Sequence, residues 1–307
     1  VCVTGVSGSG KTTLVHNILY QGFNQHRKLA VEDLGRFRSI GGLDAIDEML
    51  LVDQSPIGRS LRSNPVTYVK GYDPIRKLMA ATREARTLGL GEGSFSFNVK
   101  GGRCEACEGT GTTTYDMHFL AEMTLPCEMC GGKRFQQRVL EVPYKGRNID
   151  EILSMTVDDA CGFFGDQSTV VRRLAPLREV GLGYLTLGQS TSTLSGGEAQ
   201  RLKLASHLAT GSDLSRTMMI FDEPTTGLHL ADLAVLAGVF RSLVARGCSL
   251  VVIEHNLEII READWIIDLG PDGGDAGGCL VAEGTPERVA RDRHSVTGRF
   301  LAELLRE

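Results

Sequence analysis

Near the start of the chain stands Gly5-Val6-Ser7-Gly8-Ser9-Gly10-Lys11-Thr12, which follows the short β-branched run Val1-Cys2-Val3-Thr4. The segment from Thr12 to Tyr20 then places Leu14 and Ile18 four residues apart, as in a helix that packs on a sheet. A strand, a glycine-rich loop ending in Lys-Thr and a helix form, in this order, the context that a phosphate-binding loop requires. We therefore predict a strand–loop–helix unit with a phosphate site on its loop.

The residues of this loop have distinct roles in holding a phosphorylated ligand. Its glycines let backbone N–H groups turn inward around phosphate oxygens, and the helix start adds the positive end of a dipole. Lys11 supplies a point charge to the outer phosphates, and the Thr12 hydroxyl suits Mg²⁺. The predicted nucleotide contacts are Gly5, Gly8, Ser9, Gly10, Lys11, Thr12 and Thr13.

A second polar cluster follows the apolar run from Met218 to Phe221, which is typical of a buried strand. Asp222 and Glu223 come directly after that run. Because ligands bind at the carboxyl ends of strands in open α/β sheets, we expect these carboxylates to lie near the phosphate loop. Asp222 is predicted to hold Mg²⁺, directly or through water, and Glu223 to orient and polarise the attacking water.

The segment Leu194-Ser195-Gly196-Gly197-Glu198 carries two signals ahead of a predicted helix. Ser195 and Glu198 are three residues apart, as in a capping box. A capping box does not explain two glycines in the first turn, each of which costs up to about 1 kcal/mol in helix propensity. Glycines there let a ligand approach bare N–H groups at a dipole end, and phosphate is the natural ligand. We predict phosphate contacts from Ser195, Gly196 and Gly197.

The cysteines predict a metal centre. Four of the eight form two Cys-x-x-Cys pairs separated by 19 residues: Cys104, Cys107, Cys127 and Cys130. This is the two-knuckle spacing of a zinc site, in which each knuckle supplies two thiolates to tetrahedral Zn²⁺. Four thiolates leave no open position for chemistry, so the predicted role is structural. The other cysteines are scattered, and we expect a reducing, cytoplasmic compartment.

The charge of the chain is unevenly distributed. The net charge is −5, yet between Arg59 and Arg103 nine Lys/Arg stand against three Asp/Glu, a local balance of +6. Such a region is typical either of a polyanion-binding surface or of a solvated basic face, and charge alone does not distinguish these two interpretations. The candidates for contacts to a nucleic-acid backbone are Arg59, Arg62, Lys100, Arg103, Lys133 and Arg134.

Apolar strands alternating with helices return after about residue 190, which indicates an α/β fold with a mainly parallel sheet. The predicted strands of this part are 217–221, 249–253 and 265–269, and a helix is predicted near 231–246. No stretch approaches the ~20 apolar residues of a membrane span. Residue 1 lies inside a predicted strand, so we expect the sequence to start within a longer protein.

Taken together, these motifs resemble the ATP-binding-cassette ATPases, whose signature motif is Leu-Ser-Gly-Gly-Glu. The resemblance implies that ATP is the nucleotide, and that Ser195 and Gly197 touch the γ-phosphate held by the phosphate loop of another cassette. A lone histidine at a strand end is more often structural, but the resemblance makes His255 a switch histidine on the γ-phosphate. It also makes Gln54 the glutamine that couples Mg²⁺ and the γ-phosphate to an attached domain.

Longer segments resemble UvrA, the ATP-binding-cassette member of the ABC excinuclease, along essentially the whole chain. They are 53–59, 95–107, 117–120, 187–190, 252–256 and 263–271. This resemblance implies a sensor of damaged double-stranded DNA in nucleotide excision repair, which dimerises, has a second cassette in the same chain and loads UvrB. ATP binding and hydrolysis would gate its grip on DNA, and no nuclease constellation is evident in the sequence.

The resemblance also implies the domain organisation. We expect a P-loop NTPase of the ATP-binding-cassette type, in which 1–58 and 187–307 form the nucleotide-binding domain. Residues 59–186 would be an inserted α+β signature domain that binds DNA, with its zinc module at about 98–138.

Alternative interpretations remain open at this point. Arg59-Ser60-Leu61-Arg62 and Val66-Thr67-Tyr68-Val69-Lys70 depart from the family pattern, which fits a divergent UvrA-like paralogue linked to drug tolerance. A transporter-type cassette would share the phosphate loop and the signature. The segment 104–111 also resembles chaperone zinc repeats, which would bind unfolded peptides without ATP.

Overall fold

A computed structural model describes residues 1–55, 57, 62–115, 123–211, 213–226 and 230–306. By its contacts the chain divides into two compact units. Unit 1 comprises Val1–Ser55 and Gly211–Glu307, and unit 2 comprises Pro56–Thr210. The segment predicted to carry the signature motif therefore falls in unit 2. A division by contacts does not show which residues bind nucleotide or DNA. The predicted domain boundaries at 59 and 187 therefore stay predictions.

Eight strands are described. They are β1 (Cys2–Gly5), β2 (Glu48–Val52), β3 (Thr112–Tyr115), β4 (Met123–Pro126), β5 (Thr217–Asp222), β6 (Ser249–Ile253), β7 (Ile266–Gly270) and β8 (Cys279–Gly284).

The described helices are mostly short, and none is long and apolar enough to cross a bilayer. They are α1 (Gln21–His26), α2 (Pro65–Tyr68), α3 (Tyr72–Ala80), α4 (Arg83–Thr87), α5 (Gln137–Leu140), α6 (Ile149–Leu153), α7 (Val157–Phe163), α8 (Ser168–Glu179), α9 (Gly196–Leu208), α10 (Leu230–Ala245), α11 (Leu257–Ile260), α12 (Pro286–Val289) and α13 (Val296–Leu304). A π-helical segment, Thr13–Tyr20, leads into α1.

Unit 1 is built on a six-stranded sheet with the order β2-β5-β6-β1-β7-β8. Its neighbouring strands run parallel, except that β7 and β8 are antiparallel. The inner strands β5, β6, β1 and β7 are buried along nearly their whole length, as expected for a mainly parallel sheet. The predicted α/β fold with a mainly parallel sheet is confirmed. Strand β2 was not predicted from the sequence.

The helix predicted after the phosphate loop is present, although Thr13–Tyr20 is wound with wide π turns. Val15 is the buried residue of this segment, and Leu14 and Leu19 pack beside it against the sheet core. The core beneath them includes Val3, Ile220 and Ile253, which belong to β1, β5 and β6. This packing fixes the helix against the strands whose ends carry the candidate site.

Unit 2 combines helices with the two-stranded hairpin formed by β3 and β4. Aromatic rings form part of its core. Tyr72 on α3 stacks on Phe97 with ring centroids 5.0 Å apart, and Phe135 meets Phe97 edge-on at 6.3 Å. These rings come from both sides of the paired cysteines in sequence. They therefore join the cysteine module, the segment of about residues 98–138, to the helices around it.

Candidate nucleotide site and metal centre

The phosphate loop follows β1 directly and turns through glycines with positive φ. Gly5 has φ 132°, Gly8 78° and Gly10 91°. A Cβ on Gly5 would lie 2.0 Å from the carbonyl oxygen of Leu269 on β7, so glycine is required there. The three glycines thus adopt backbone conformations that favour glycine, while contact of the loop with a phosphate stays a prediction.

Lys11 lies at the base of this loop and is only 6% exposed. Its Nζ donates to the carbonyl oxygens of Gly5 at 3.1 Å and of Val6 at 2.9 Å. Burial lowers the pKa of Lys11, and the carboxylates of Glu223 and Asp222 oppose this shift. The ammonium group is therefore held against the carbonyl oxygens of its own loop, and the nearby carboxylates of Glu223 and Asp222 favour its charged form.

The acidic pair stands at the carboxyl end of β5, as predicted. Glu223 has φ 44°, and its backbone N–H donates to the carbonyl oxygen of Ile253 at 2.9 Å. Gln54 Nε2 donates to the carbonyl oxygen of Glu223 at 2.9 Å, and His255 Nε2 lies 3.7 Å from Glu223 Oε1. The structure therefore brings together the three residues predicted to be catalytic: Gln54, Glu223 and His255.

The surroundings of Asp222 fit a hard cation such as Mg²⁺. Burial raises the pKa of Asp222; His16, whose Nε2 lies 3.2 Å from Oδ2, opposes the rise, whereas the nearby carboxylates of Glu223 and Asp53 add to it. Clustered carboxylate oxygens beside a phosphate loop are the donor set that Mg²⁺ prefers. His16 was not predicted as a site residue, although it follows Thr12 by one helical turn.

Glu254 is a second residue that the motif analysis missed. It is 1% exposed, and its carboxylate accepts three backbone N–H groups. Oε1 accepts from Thr225 at 2.8 Å, and Oε2 accepts from His255 at 2.9 Å and Asn256 at 3.0 Å. In the sequence, an acidic residue after an apolar run indicates only that a strand ends there. It does not indicate that the carboxylate is buried.

The predicted capping box at the start of α9 is present in unit 2. The Ser195 N–H and hydroxyl donate to Glu198 Oε2 at 2.8 and 2.9 Å, and the Glu198 N–H donates to the Ser195 hydroxyl at 3.3 Å. The Tyr184 hydroxyl donates to Glu198 Oε1 at 2.6 Å. The local structure of the signature segment is thus as expected, while contact of Ser195, Gly196 and Gly197 with a phosphate stays a prediction.

The four paired cysteines converge in unit 2, with all their sulfur atoms within 4.8 Å of one another. The Sγ atoms of Cys104 and Cys127 are 4.0 Å apart, and those of Cys107 and Cys130 are 3.7 Å apart. A tetrahedral zinc with Zn–S bonds of about 2.3 Å requires sulfurs about 3.8 Å apart. N–H donation from Cys130 lowers the pKa of Cys127 to about 7, whereas burial raises the pKa of Cys104 and Cys130, so the fit to zinc rests on the sulfur geometry. The donor set therefore fits Zn²⁺.

Two of the predicted DNA contacts, both arginines, have partners close to the paired cysteines. Arg103 is 7% exposed and donates to the carbonyl oxygen of Asn98 at 3.3 Å. Arg134 donates to the carbonyl oxygen of Gly188 at 2.9 Å, and its guanidinium lies 5.8 Å from the centroid of the Phe97 ring. Both cations therefore have packing partners inside unit 2.

The remaining DNA candidates differ in exposure. Lys100 and Lys133 are exposed, on either side of the paired cysteines in sequence. Arg62 pairs with Glu108 at 3.1 Å. Arg59 lies outside the described residues. A role of any of these residues in DNA binding stays a prediction.

Comparison with known proteins identifies close relatives. UvrABC system protein A from Neisseria meningitidis serogroup A is 52% identical over 304 residues, which is 99% of this chain and 32% of the relative. That from Methanothermobacter thermautotrophicus is 55% identical over 304 residues, 99% of this chain and 31% of the relative. A solved structure of UvrA2 from Deinococcus radiodurans matches with a TM-score of 0.92 and 47% identity, covering 98% of this chain and 36% of that one.

No family model matches the chain. The chain spans about a third of the length of the curated relatives that it matches. The predicted resemblance to UvrA is confirmed over nearly all of its residues, and with it the P-loop fold of the ATP-binding-cassette type.

Proposed function

We propose that this chain is the ATP-hydrolysing cassette of a DNA-damage sensor in nucleotide excision repair. ATP binding and hydrolysis would gate its grip on damaged double-stranded DNA and the hand-off to UvrB. The observation that carries the proposal is the convergence of Gln54, Glu223 and His255 beside the phosphate loop. The relatives named UvrABC system protein A support the repair context.

The geometry supports a division of roles in hydrolysis. Lys11 and the loop N–H groups would bind the phosphates of ATP, while Thr12 and Asp222 would hold Mg²⁺, which offsets charge on the reacting phosphate. The backbone N–H and carbonyl oxygen of Glu223 both form hydrogen bonds, whereas its side chain is half exposed. Its carboxylate is therefore available to orient a water molecule. His255, 3.7 Å away, would contact the γ-phosphate.

The signature segment would act across an interface between two cassettes. Ser195, Gly196 and Gly197 would act on ATP bound by another cassette, either the second one in the full-length chain or one in a homodimer. Their N–H groups lie at the start of α9, where the helix dipole favours a phosphate.

In unit 2, the four thiolates would hold a structural Zn²⁺ that fixes the hairpin β3–β4 and the loops beside it. Lys100 and Lys133 are exposed on these loops and would approach DNA phosphates. A salt-dependent contribution to DNA affinity follows from this proposal, because each phosphate contact releases counterions. The expected compartment is the cytoplasm.

Two measurements on the full-length protein test this function. Glu223→Gln should abolish steady-state ATP hydrolysis and preserve ATP binding, whereas normal turnover would refute the assignment of Glu223. Fluorescence anisotropy with plain and lesion-bearing duplexes, in a salt series with and without ATP, tests the DNA role. Binding that is salt-dependent, ATP-sensitive and tighter on the lesion is expected. Absence of DNA binding at every salt concentration would refute the sensor and favour a transporter-type or paralogue function.

A further inference from the structure

Glu254 has an environment that its position in the sequence does not explain. A carboxylate is rarely fully buried, and burial is tolerated when hydrogen bonds satisfy the charge. At 1% exposure, Glu254 receives N–H donors from Thr225, His255 and Asn256 at 2.8 to 3.0 Å. Bonds from N–H groups to a carboxylate are charge-assisted and therefore stronger than bonds between neutral groups.

The three donors belong to two separate loops. Thr225 lies two residues after Glu223, in the segment that follows β5, whereas His255 and Asn256 follow β6. A second bond joins the same two segments, from the Glu223 N–H to the Ile253 carbonyl oxygen at 2.9 Å. Glu223 has a φ of 44°, which is unfavourable for a residue with a side chain and persists only where the surroundings hold it.

We propose that Glu254 is a positioning residue for ATP hydrolysis. Its carboxylate fixes the backbone of the loop after Glu223 against the backbone of His255, and so sets the approach of the two side chains, now 3.7 Å apart. This inference rests on the proposed function, because it requires that Glu223 and His255 act on ATP. Glu254 itself acts through the two loops, by hydrogen bonds to their backbone groups.

The two carboxylate oxygens have different partners, which makes glutamine an informative substitution. Oε1 bonds the Thr225 loop, and Oε2 bonds the two residues after β6. Glutamine keeps the shape but has one acceptor oxygen, so its amide NH₂ must face one of these N–H groups. A buried donor left without an acceptor is costly, and the loop facing the NH₂ group loses its anchor.

The first experiment compares kcat and ATP affinity in the full-length protein. Glu254→Gln should lower kcat about 10- to 100-fold, because a displacement of about 1 Å at reacting groups has effects of this size. The dissociation constant of a fluorescent ATP analogue should stay within about twofold, since the described phosphate-loop contacts do not involve this carboxylate. Glu303→Gln, at an exposed position on α13, is the matched control and should leave both unchanged.

A double-variant cycle separates positioning from a general loss of stability. If Glu254 acts by setting the approach of Glu223 to His255, its loss should matter little once the imidazole is gone, so E254Q in combination with H255A should lose little more than H255A alone. Independent, multiplying losses would overturn the proposal, and so would a normal kcat in E254Q. Equal losses of kcat and ATP affinity together with a lower Tm would also overturn it. If E254Q does not fold, E254D, which keeps the charge but shortens the side chain, is measured by the same criteria.

The outcomes distinguish this inference from the function on which it rests. Normal turnover in both H255A and E223Q would refute the assignment of hydrolysis to this site. Loss of turnover in those variants, together with full turnover in E254Q, would refute only the positioning role of Glu254.

Discussion

Replacing Tyr184 with phenylalanine removes one hydroxyl that supports the start of α9. That hydroxyl donates to Glu198 Oε1 at 2.6 Å, while Glu198 Oε2 accepts from the N–H and the hydroxyl of Ser195. Tyr184 therefore steadies the carboxylate that completes the capping box. Because Ser195 is a predicted phosphate contact, the substitution tests whether the signature segment depends on support from outside its own helix.

The size of the effect follows from exposure. A hydrogen bond to a charged acceptor contributes about 1.5–3 kcal/mol where water is excluded. Tyr184 is 55% exposed, and solvent screening reduces the contribution to about 1 kcal/mol. This free energy corresponds to about a fivefold change in the equilibrium between the capped and the uncapped helix start.

The effect depends on pH with a defined sign. Burial raises the pKa of Glu198, but the Tyr184 hydroxyl and the Ser195 donors outweigh it, so that the pKa is lowered overall. A lowered pKa stabilises the folded state fully above the unfolded-state pKa of about 4.3, and this stabilisation is lost as the pH falls through the folded-state pKa. Tyr184→Phe should therefore lower the free energy of unfolding by about 1 kcal/mol at neutral pH, and by less near pH 4.

Urea denaturation followed by circular dichroism at both pH values measures this difference. Tyr115→Phe, at the exposed end of β3, is the matched control and should have no effect. A free energy of unfolding unchanged at neutral pH would refute the support assigned to Tyr184, and an equal loss at both pH values would refute its electrostatic origin.

Two further substitutions test the phosphate loop and the metal centre. Gly5→Ala should abolish binding of a fluorescent ATP analogue, since the new Cβ would lie 2.0 Å from the Leu269 carbonyl oxygen, whereas Gly41→Ala, with open space around it, should bind normally. Retained affinity in the Gly5 variant would contradict the loop geometry. Cys127→Ser should release zinc and expose the backbone amides of residues 104–135 to hydrogen exchange, whereas the exposed Cys279→Ser should do neither. Full zinc content in the Cys127 variant would exclude this residue as a ligand.

The sequence was sufficient to predict the parallel sheet and the placement of Asp222 and Glu223 at its carboxyl edge, but it did not single out Glu254. Strands β5 and β6 lie within one residue of their predicted bounds, because short apolar runs between polar segments mark buried strands. Strand β2 escaped prediction although Met49 to Val52 is also apolar, because so short a run fits a buried helix segment equally well. It pairs in parallel register with β5, which begins only at Thr217, so no local window of sequence contains both strands.

The same limit applies to the cations of the cysteine module. A count of charges cannot distinguish Lys100 and Lys133, which are exposed, from Arg103, which is buried. Arg134 is directed to the Gly188 carbonyl oxygen, which lies 54 residues further along the chain. Only the tertiary structure shows which of these side chains have packing partners within unit 2.

The residues of the candidate site are held largely through backbone groups, which carry no sequence signature. Gln54 donates to the carbonyl oxygen of Glu223, the Glu223 N–H donates to Ile253, and Glu254 accepts the N–H groups of Thr225 and His255. Motifs therefore predict which side chains meet ATP, but they do not predict what fixes their separation. A variant that keeps every motif side chain and loses one of these backbone contacts should bind ATP and hydrolyse it slowly, which is the behaviour expected of Glu254→Gln.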